Sequence, residues 1–189
     1  MNDKYYHTRE SVLEYIKMAE GYNGRYIISR LKNHLNQKSK LLEIGSGPGT
    51  DWNILNENYM VVGSDNSKEF LKHLSENNPD GKFINLDAVT LSTNLKFDGI
   101  YTNKVLHHLT KKELEISITR QSEILNTKGV ICHSFWAGEG SETYNGLFVN
   151  YHTMKELKHL FASCFEIQIM EPYKEFETDD SIFLIGVKK

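Results

Sequence analysis

Apolar positions in the first part of the chain recur at helical spacing, whereas further on they gather into short runs separated by amphipathic stretches. Two helical patterns come first, over residues 8–19 and about 22–38. In the second, Tyr26, Ile27, Arg30, Leu31 and Leu35 share one face. The stretch "EGYNG" between them reads as a short turn or kink. Apolar runs at 41–44, 60–63, 83–86, 97–101 and 130–135 predict strands, and amphipathic segments between most of them, including 67–76 and 110–126, predict helices. Thr110-Lys-Lys-Glu113 has the form of a capping box, in which hydroxyl and carboxylate satisfy each other's backbone donors at a helix start. Thr153-Met-Lys-Glu156 repeats it before "LKHLF". Strand patterns at 165–170 and 182–187 enclose the acidic, turn-like "EFETDD".

Regular alternation of strand and helix specifies an α/β fold, a doubly wound, mainly parallel sheet with helices on both faces. No helix separates the last two strands, so they form an antiparallel C-terminal hairpin at one edge. Ligands in such sheets sit at the carboxyl ends of the strands, near the point where strand order reverses. A chain of 189 residues with 39% hydrophobic content is enough for one well-buried core. The expected organisation is one domain over 1–189, with N-terminal helices over 1–38 and a core over 39–189.

Charge and cysteine content narrow the function classes. The formal net charge is -3 and no long run of Lys or Arg occurs, so neither a nucleic-acid groove nor an anionic membrane patch is advertised. No stretch approaches the roughly 18 consecutive apolar residues of a membrane span. The two cysteines, Cys132 and Cys164, are too far apart for a metal knuckle or a redox pair and read as buried thiols in a reducing, cytoplasmic setting. No cluster has metal-ligand spacing.

The chemistry begins at "LLEIGSGPGTD", where Gly45, Gly47 and Gly49 follow the first strand directly. Such a loop permits positive backbone angles and lets a ligand approach the main chain, a device used for dinucleotides and for S-adenosylmethionine. The dinucleotide spacing G-x-G-x-x-G fails at Thr50, and Asp51 in the first helical turn is awkward for a docking pyrophosphate. Glu43 would repel phosphates but favour the cationic amino-acid end of a sulfonium cofactor. Asp65 ends the next strand, where a carboxylate accepts from two vicinal hydroxyls at once. Asp87 ends the third, where it can accept from an exocyclic amine or form a turn.

The stretch "LLEIGSGPGTD" resembles motif I of the class I S-adenosylmethionine-dependent methyltransferases, in its E-x-G-x-G-x-G form. The resemblance runs on in order through "VVGSDNS", "INLDAVTL", "FDGIYTNKVLHHL" and "KGVICHSFW". It implies a Rossmann-like seven-stranded sheet and a cofactor site made of Glu43, Gly45, Ser46, Gly47, Gly49, Thr50, Asp65, Asn66, Asp87, Ala88, Asn103 and Lys104. Asp65 would hold the ribose hydroxyls, Asp87 and Ala88 would lie beside the adenine, and Asn103 and Lys104 would line the far edge. It also implies that the N-terminal helices, rich in tyrosine (Tyr5, Tyr6, Tyr15, Tyr22, Tyr26), fold over the site as a lid.

Methyl transfer from a sulfonium needs an acceptor held in line and water excluded, with proton removal only for some acceptors. His107 and His108, beyond the fourth strand, are the candidate bases, whereas His133 reads as a satisfied interior histidine. The pattern-poor segment 137–152 is the expected substrate loop, with Trp136, Tyr144, Phe148 and Tyr151 as candidate walls of an acceptor pocket. The expectation is a methyltransferase acting on a small molecule. An RNA or protein methyltransferase, a non-catalytic S-adenosylmethionine-binding module and a dinucleotide oxidoreductase are its rivals. The oligomeric state is not legible.

Overall fold

The computed structural model describes residue 6, residues 8–144 and residues 146–189, with the Tyr144 side chain outside the described set. The elements are α1 (Arg9–Met18), α2 (Arg25–Leu31), β1 (Lys40–Ile44), α3 (Thr50–Asn56), β2 (Met60–Asp65), α4 (Lys68–Asn77), β3 (Lys82–Asn85), β4 (Phe97–Asn103), α5 (Lys111–Ile124), β5 (Leu125–Trp136), β6 (Ser141–Tyr144), β7 (Leu147–Asn150), α6 (Met154–Phe161), β8 (Phe165–Tyr173) and β9 (Ser181–Lys188). A 3-10 turn, Leu106–His108, follows β4.

Seven strands form one sheet in the order β3-β2-β1-β4-β5-β9-β8. The pairs among β1 to β5 are parallel, and β9 runs antiparallel to both β5 and β8. Strand order reverses between β1 and β4, which fixes where a ligand crevice opens. Because β9 reverses direction, the β8–β9 turn lies at the same end of the sheet as that crevice. Successive side chains of β1 enter opposite layers: Leu41 packs with Ile27, Leu31 and Leu55 on one side, Leu42 and Ile44 with Leu114, Ile118 and Phe161 on the other. Each fully buried Leu of this kind contributes about 2 kcal/mol. No helix among the described residues is long and apolar enough to cross a membrane.

The expected caps form where the sequence places them. Ser67 accepts from Phe70 N at 3.2 Å, and the Thr110–Glu113 capping box is reciprocal. Thr153 accepts from Glu156 N at 3.2 Å, but the Glu156 carboxylate turns to Lys111 (3.5 Å) and His152 (3.4 Å) instead of completing a box.

Three features differ from expectation. The second helix stops at Leu31, its continuation becoming tight turns through His34 N to Leu31 O at 2.9 Å. Segment 137–152 is not pattern-free: β6 and β7 pair as a hairpin whose ends are tied back to β5 by His152 N to Trp136 O (3.0 Å) and Gly138 N to His152 O (3.1 Å). Cys132 is buried as expected, whereas Cys164 is only half-buried.

The start of α2 is bound to the sheet through Asp51. Its carboxylate accepts from Gly24 N at 2.6 Å, Tyr101 Oη at 2.7 Å and Asn103 Nδ2 at 3.0 Å. A Cβ on Gly24 would lie 2.0 Å from that Tyr101 oxygen, so only glycine lets the N-terminal segment approach so closely. Asp51 thus joins the N-terminal helices to the strand ends.

Candidate active site

A cleft of about 360 Å³ opens at the carboxyl ends of β1, β2, β4 and β5. Its floor is the loop between β1 and α3, where Gly45, Gly47 and Gly49 all have positive φ (71°, 47° and 86°). They serve different ends. A Cβ on Gly45 would strike Val105 at 2.6 Å and one on Gly49 would strike Leu74 at 2.6 Å, whereas Gly47 would meet nothing closer than Tyr15 at 4.0 Å. Side-chain packing therefore demands the outer two glycines, and only the middle one keeps main chain open towards a ligand. Ser46, Thr50, Asn66 and Ala88 also line the cleft.

Glu43 stands in this wall, 3% exposed, with Oε2 lacking a hydrogen-bond partner among the described residues. Burial above all, then the Asp51 and Asp65 carboxylates, push its pKa up to about 8, against a bond from Ser46 that lowers it. Ionising this buried acid beside two carboxylates is favoured only by a nearby positive charge.

Asp65 accepts from Gly47 N at 3.0 Å through one oxygen and from Ser67 N at 2.8 Å through the other. These bonds pin the carboxylate at the cleft edge. Asp87 takes the turn-forming role that was one of the two foreseen for it. Its Oδ1 closes a turn by accepting from Val89 N and Thr90 N, each at 2.9 Å, and the residue still lines the cleft.

Asn103 bridges Asp51 to Ser134, whose hydroxyl donates to Asn103 Oδ1 at 2.5 Å. Lys104 adopts φ 54° and carries its ammonium to 3.4 Å from the centre of the Trp136 ring, donating to Phe135 O at 3.1 Å and Ser181 Oγ at 2.5 Å. Burial lowers its pKa to about 7 against the pull of Glu175 and Asp180.

The histidine pair divides. His108 lines the cleft and its Nδ1 lies 2.7 Å from the Phe148 carbonyl on β7. A carbonyl only accepts, so Nδ1 donates a proton to it. His107 is buried behind it, ring centres 4.0 Å apart, outside the cleft wall. Burial first, then His108, Lys104 and His152, hold its pKa well below the usual value, so it stays neutral.

Trp136 stacks on Phe176 of the β8–β9 turn (5.6 Å, 20°), and Phe176 meets Tyr22 of the α1–α2 connection edge-on at 5.0 Å. Tyr6 and Tyr15 pack with Phe70 over the other end, where Ser67 Oγ donates to Tyr6 O at 2.5 Å. Tyr151 lies outside the cleft wall, its hydroxyl bonded to Glu142 on the exposed hairpin. The expectations for Tyr5 and for the Tyr144 side chain fall outside the described residues. Phe176, Glu175 and Leu147 line the cleft although sequence reading passed over them. The signal for Phe176 was a lone aromatic in an acidic turn, at the sheet end that the antiparallel hairpin dictates.

A family model for a methyltransferase domain matches residues 41–129, from β1 to the start of the paired part of β5. No curated protein matches the sequence. Among solved structures, the chain is similar to a Burkholderia thailandensis 1,6-didemethyltoxoflavin-N1-methyltransferase with bound 1,6-didemethyltoxoflavin and S-adenosylhomocysteine, at 18% identity and TM-score 0.74, covering 95% of this chain and 88% of that one. It is similar to the N-methyltransferase NodS of Bradyrhizobium japonicum in complex with S-adenosylhomocysteine, at 14% identity and TM-score 0.75, covering 98% and 99%. A third, an S-adenosylmethionine-bound amino pentose methyltransferase from Micromonospora echinaspora, gives 14% identity and TM-score 0.74 over 94% and 97%. At such identities these likenesses establish the shared fold, and the domain match adds the motif-bearing stretch. Residues 41–129 thus match a methyltransferase domain, and the strand order around the glycine loop is the fold that these S-adenosylmethionine-dependent methyltransferases share.

Proposed function

We propose that the protein transfers the methyl group of S-adenosylmethionine to a small-molecule acceptor, and that His108 takes up the acceptor's proton where one must leave. The observation that carries this reading is Glu43, a buried carboxylate in the cleft wall with an unpartnered oxygen and a pKa raised to about 8. A pyrophosphate would be repelled there, whereas an α-ammonium next to a sulfonium supplies the missing positive charge.

The residues fit the remaining parts of that cofactor. Gly47 offers open main chain, Asp65 offers acceptors for two vicinal hydroxyls, and Asp87 with Ala88 offers an acceptor beside a small residue. When bound, the cofactor supplies an electrophilic methyl with a good leaving group. The chain orients the acceptor, excludes water and takes up the acceptor's proton on the His108 ring, which Phe148 O orients through Nδ1. Trp136, Phe176, Tyr22 and Leu147 give the wall an apolar, largely aromatic stretch suited to a compact, partly planar acceptor. The small-molecule substrates named for the Burkholderia and Micromonospora enzymes support this choice.

Calorimetric titration with S-adenosylmethionine, S-adenosylhomocysteine and NADH tests the reading. Both sulfur compounds bind and NADH does not, and Asp65→Ala weakens them about 100-fold through two lost charge-assisted bonds. Binding of NADH alone, or equal binding by the variant, overturns it. With the cofactor established, transfer of labelled methyl to protein or RNA far faster than to any metabolite would overturn the choice of acceptor.

A further inference from the structure

Behind the cleft runs a chain of polar side chains that methyl transfer does not use. Thr102, Ser117, Gln121 and His133 are each 0% exposed. Thr102 Oγ1 lies 3.1 Å from His133 Nδ1, and His133 Nε2 lies 2.7 Å from Gln121 Oε1. Gln121 Nε2 reaches Ser117 Oγ at 3.1 Å, and Ser117 Oγ reaches the Ala88 carbonyl at 2.6 Å. The chain thus crosses from the sheet, through α5, to the loop that follows β3.

Its polarity follows from its last member. The Ala88 carbonyl can only accept, so the single Ser117 proton is committed to it. Ser117 must then accept from the Gln121 amide, which turns Gln121 Oε1 towards His133. His133 therefore donates from Nε2 and accepts from Thr102 at Nδ1. Burial lowers the His133 pKa to about 3, so the ring is neutral, as this arrangement requires. Every buried group is paired in one direction, and apolar residues would have filled the space without the desolvation cost.

The far end acts on one peptide plane. Ser117 holds the carbonyl of the Ala88–Val89 peptide, and Asp87 Oδ1 holds its N–H at 2.9 Å. The same helix captures the next carbonyls, with Arg120 Nε to Thr90 O at 3.0 Å and Nη2 to Leu91 O at 3.2 Å. Asp87 is thereby held through Oδ1 on the loop while it lines the cleft.

We propose that Ser117, Gln121 and His133 are positioning residues for nucleobase recognition, aiming Asp87 at the exocyclic amine of adenine through the Ala88–Val89 peptide. This rests on the cofactor reading above. The chain makes the protein distinguish S-adenosylhomocysteine from its deaminated analogue, S-inosylhomocysteine, in which a carbonyl replaces the amine and meets Asp87 unfavourably.

The experiment is calorimetric titration of the full chain with both compounds, alongside thermal melting. Ser117→Ala weakens S-adenosylhomocysteine about tenfold and narrows the preference over the inosyl compound by at least about threefold. Gln121→Leu, which leaves the last bond in place, narrows it less. Leu114→Ala, which removes core packing from the same helix, lowers the melting temperature and leaves the preference unchanged. An unchanged preference in both polar variants, a preference that falls equally in Leu114→Ala, or a wild-type protein that binds the two compounds alike overturns the proposal. A wild-type protein that binds neither overturns the cofactor reading instead.

Discussion

The two sides of the cleft are built differently. On the floor, Asp65 and Asp87 each bind backbone N–H groups within their own or the neighbouring loop, so short stretches of chain hold the polar groups in place. On the opposite wall, Trp136, Phe176, Tyr22 and Lys104 come from four separated parts of the chain and hold one another through ring and cation contacts. Backbone bonds are directional and admit little change in the side chain they position, whereas aromatic contacts tolerate exchange of size and shape. A fold built this way keeps one cofactor and can vary its acceptor.

The largest test of that division is His108→Ala. With an acceptor whose proton must leave, turnover drops about 100- to 10,000-fold, the usual contribution of a positioned base. The cofactor dissociation constant stays unchanged, because His108 is bonded to the hairpin through Phe148 O. Single-turnover rates together with calorimetry read both quantities. Equal losses in both would show that the two sides are one unit.

The same contrast explains what the sequence disclosed. The floor was legible because its polar residues occur in order at the ends of the apolar runs that predict strands, and the glycine loop follows the first of these runs. The division between His107 and His108 was not legible: adjacent residues differ only by the rotation of a 3-10 turn, and tertiary packing decides which ring faces inwards. The β6–β7 hairpin was missed although Asn145-Gly146 is a strong two-residue turn signal, since the flanking strands have little apolar alternation. The polar chain through α5 was invisible because Ser117 and Gln121 read as surface positions of an amphipathic helix.

Glu43 gives the next largest effect, through pH. Its folded pKa of about 8 exceeds the usual 4.5, so the ligand-free fold binds an extra proton between these values. Stability of the free protein is therefore greatest below about pH 4.5 on this account and falls as pH climbs towards 8. A cationic ligand favours the ionised form, so S-adenosylmethionine binding releases a proton and tightens with rising pH, by at most about tenfold per unit, levelling off above about 8. Glu43→Gln flattens the dependence. Calorimetry in buffers of different ionisation enthalpy counts the proton, and a wild-type protein that releases none would remove Glu43 from the cation site.

The smallest effect sharpens the wall itself. Phe176 sits 51% exposed on the β8–β9 turn, yet its ring stacks on Trp136 and meets Tyr22, so it closes the column that links sheet and N-terminal segment. Aromatic pairs of this kind are worth about 0.5–1.5 kcal/mol each, so Phe176→Ala raises the acceptor KM roughly two- to tenfold. The ring donates no bond to the floor, and Asp51 continues to hold Gly24 in its absence, so the cofactor affinity moves less than about twofold. Phe176→Tyr retains the stacked area and restores the KM. If Phe176→Ala instead loosens the cofactor more than the acceptor, the column acts as a latch on the N-terminal helices over the cofactor, and the wall is then no longer independent of the floor.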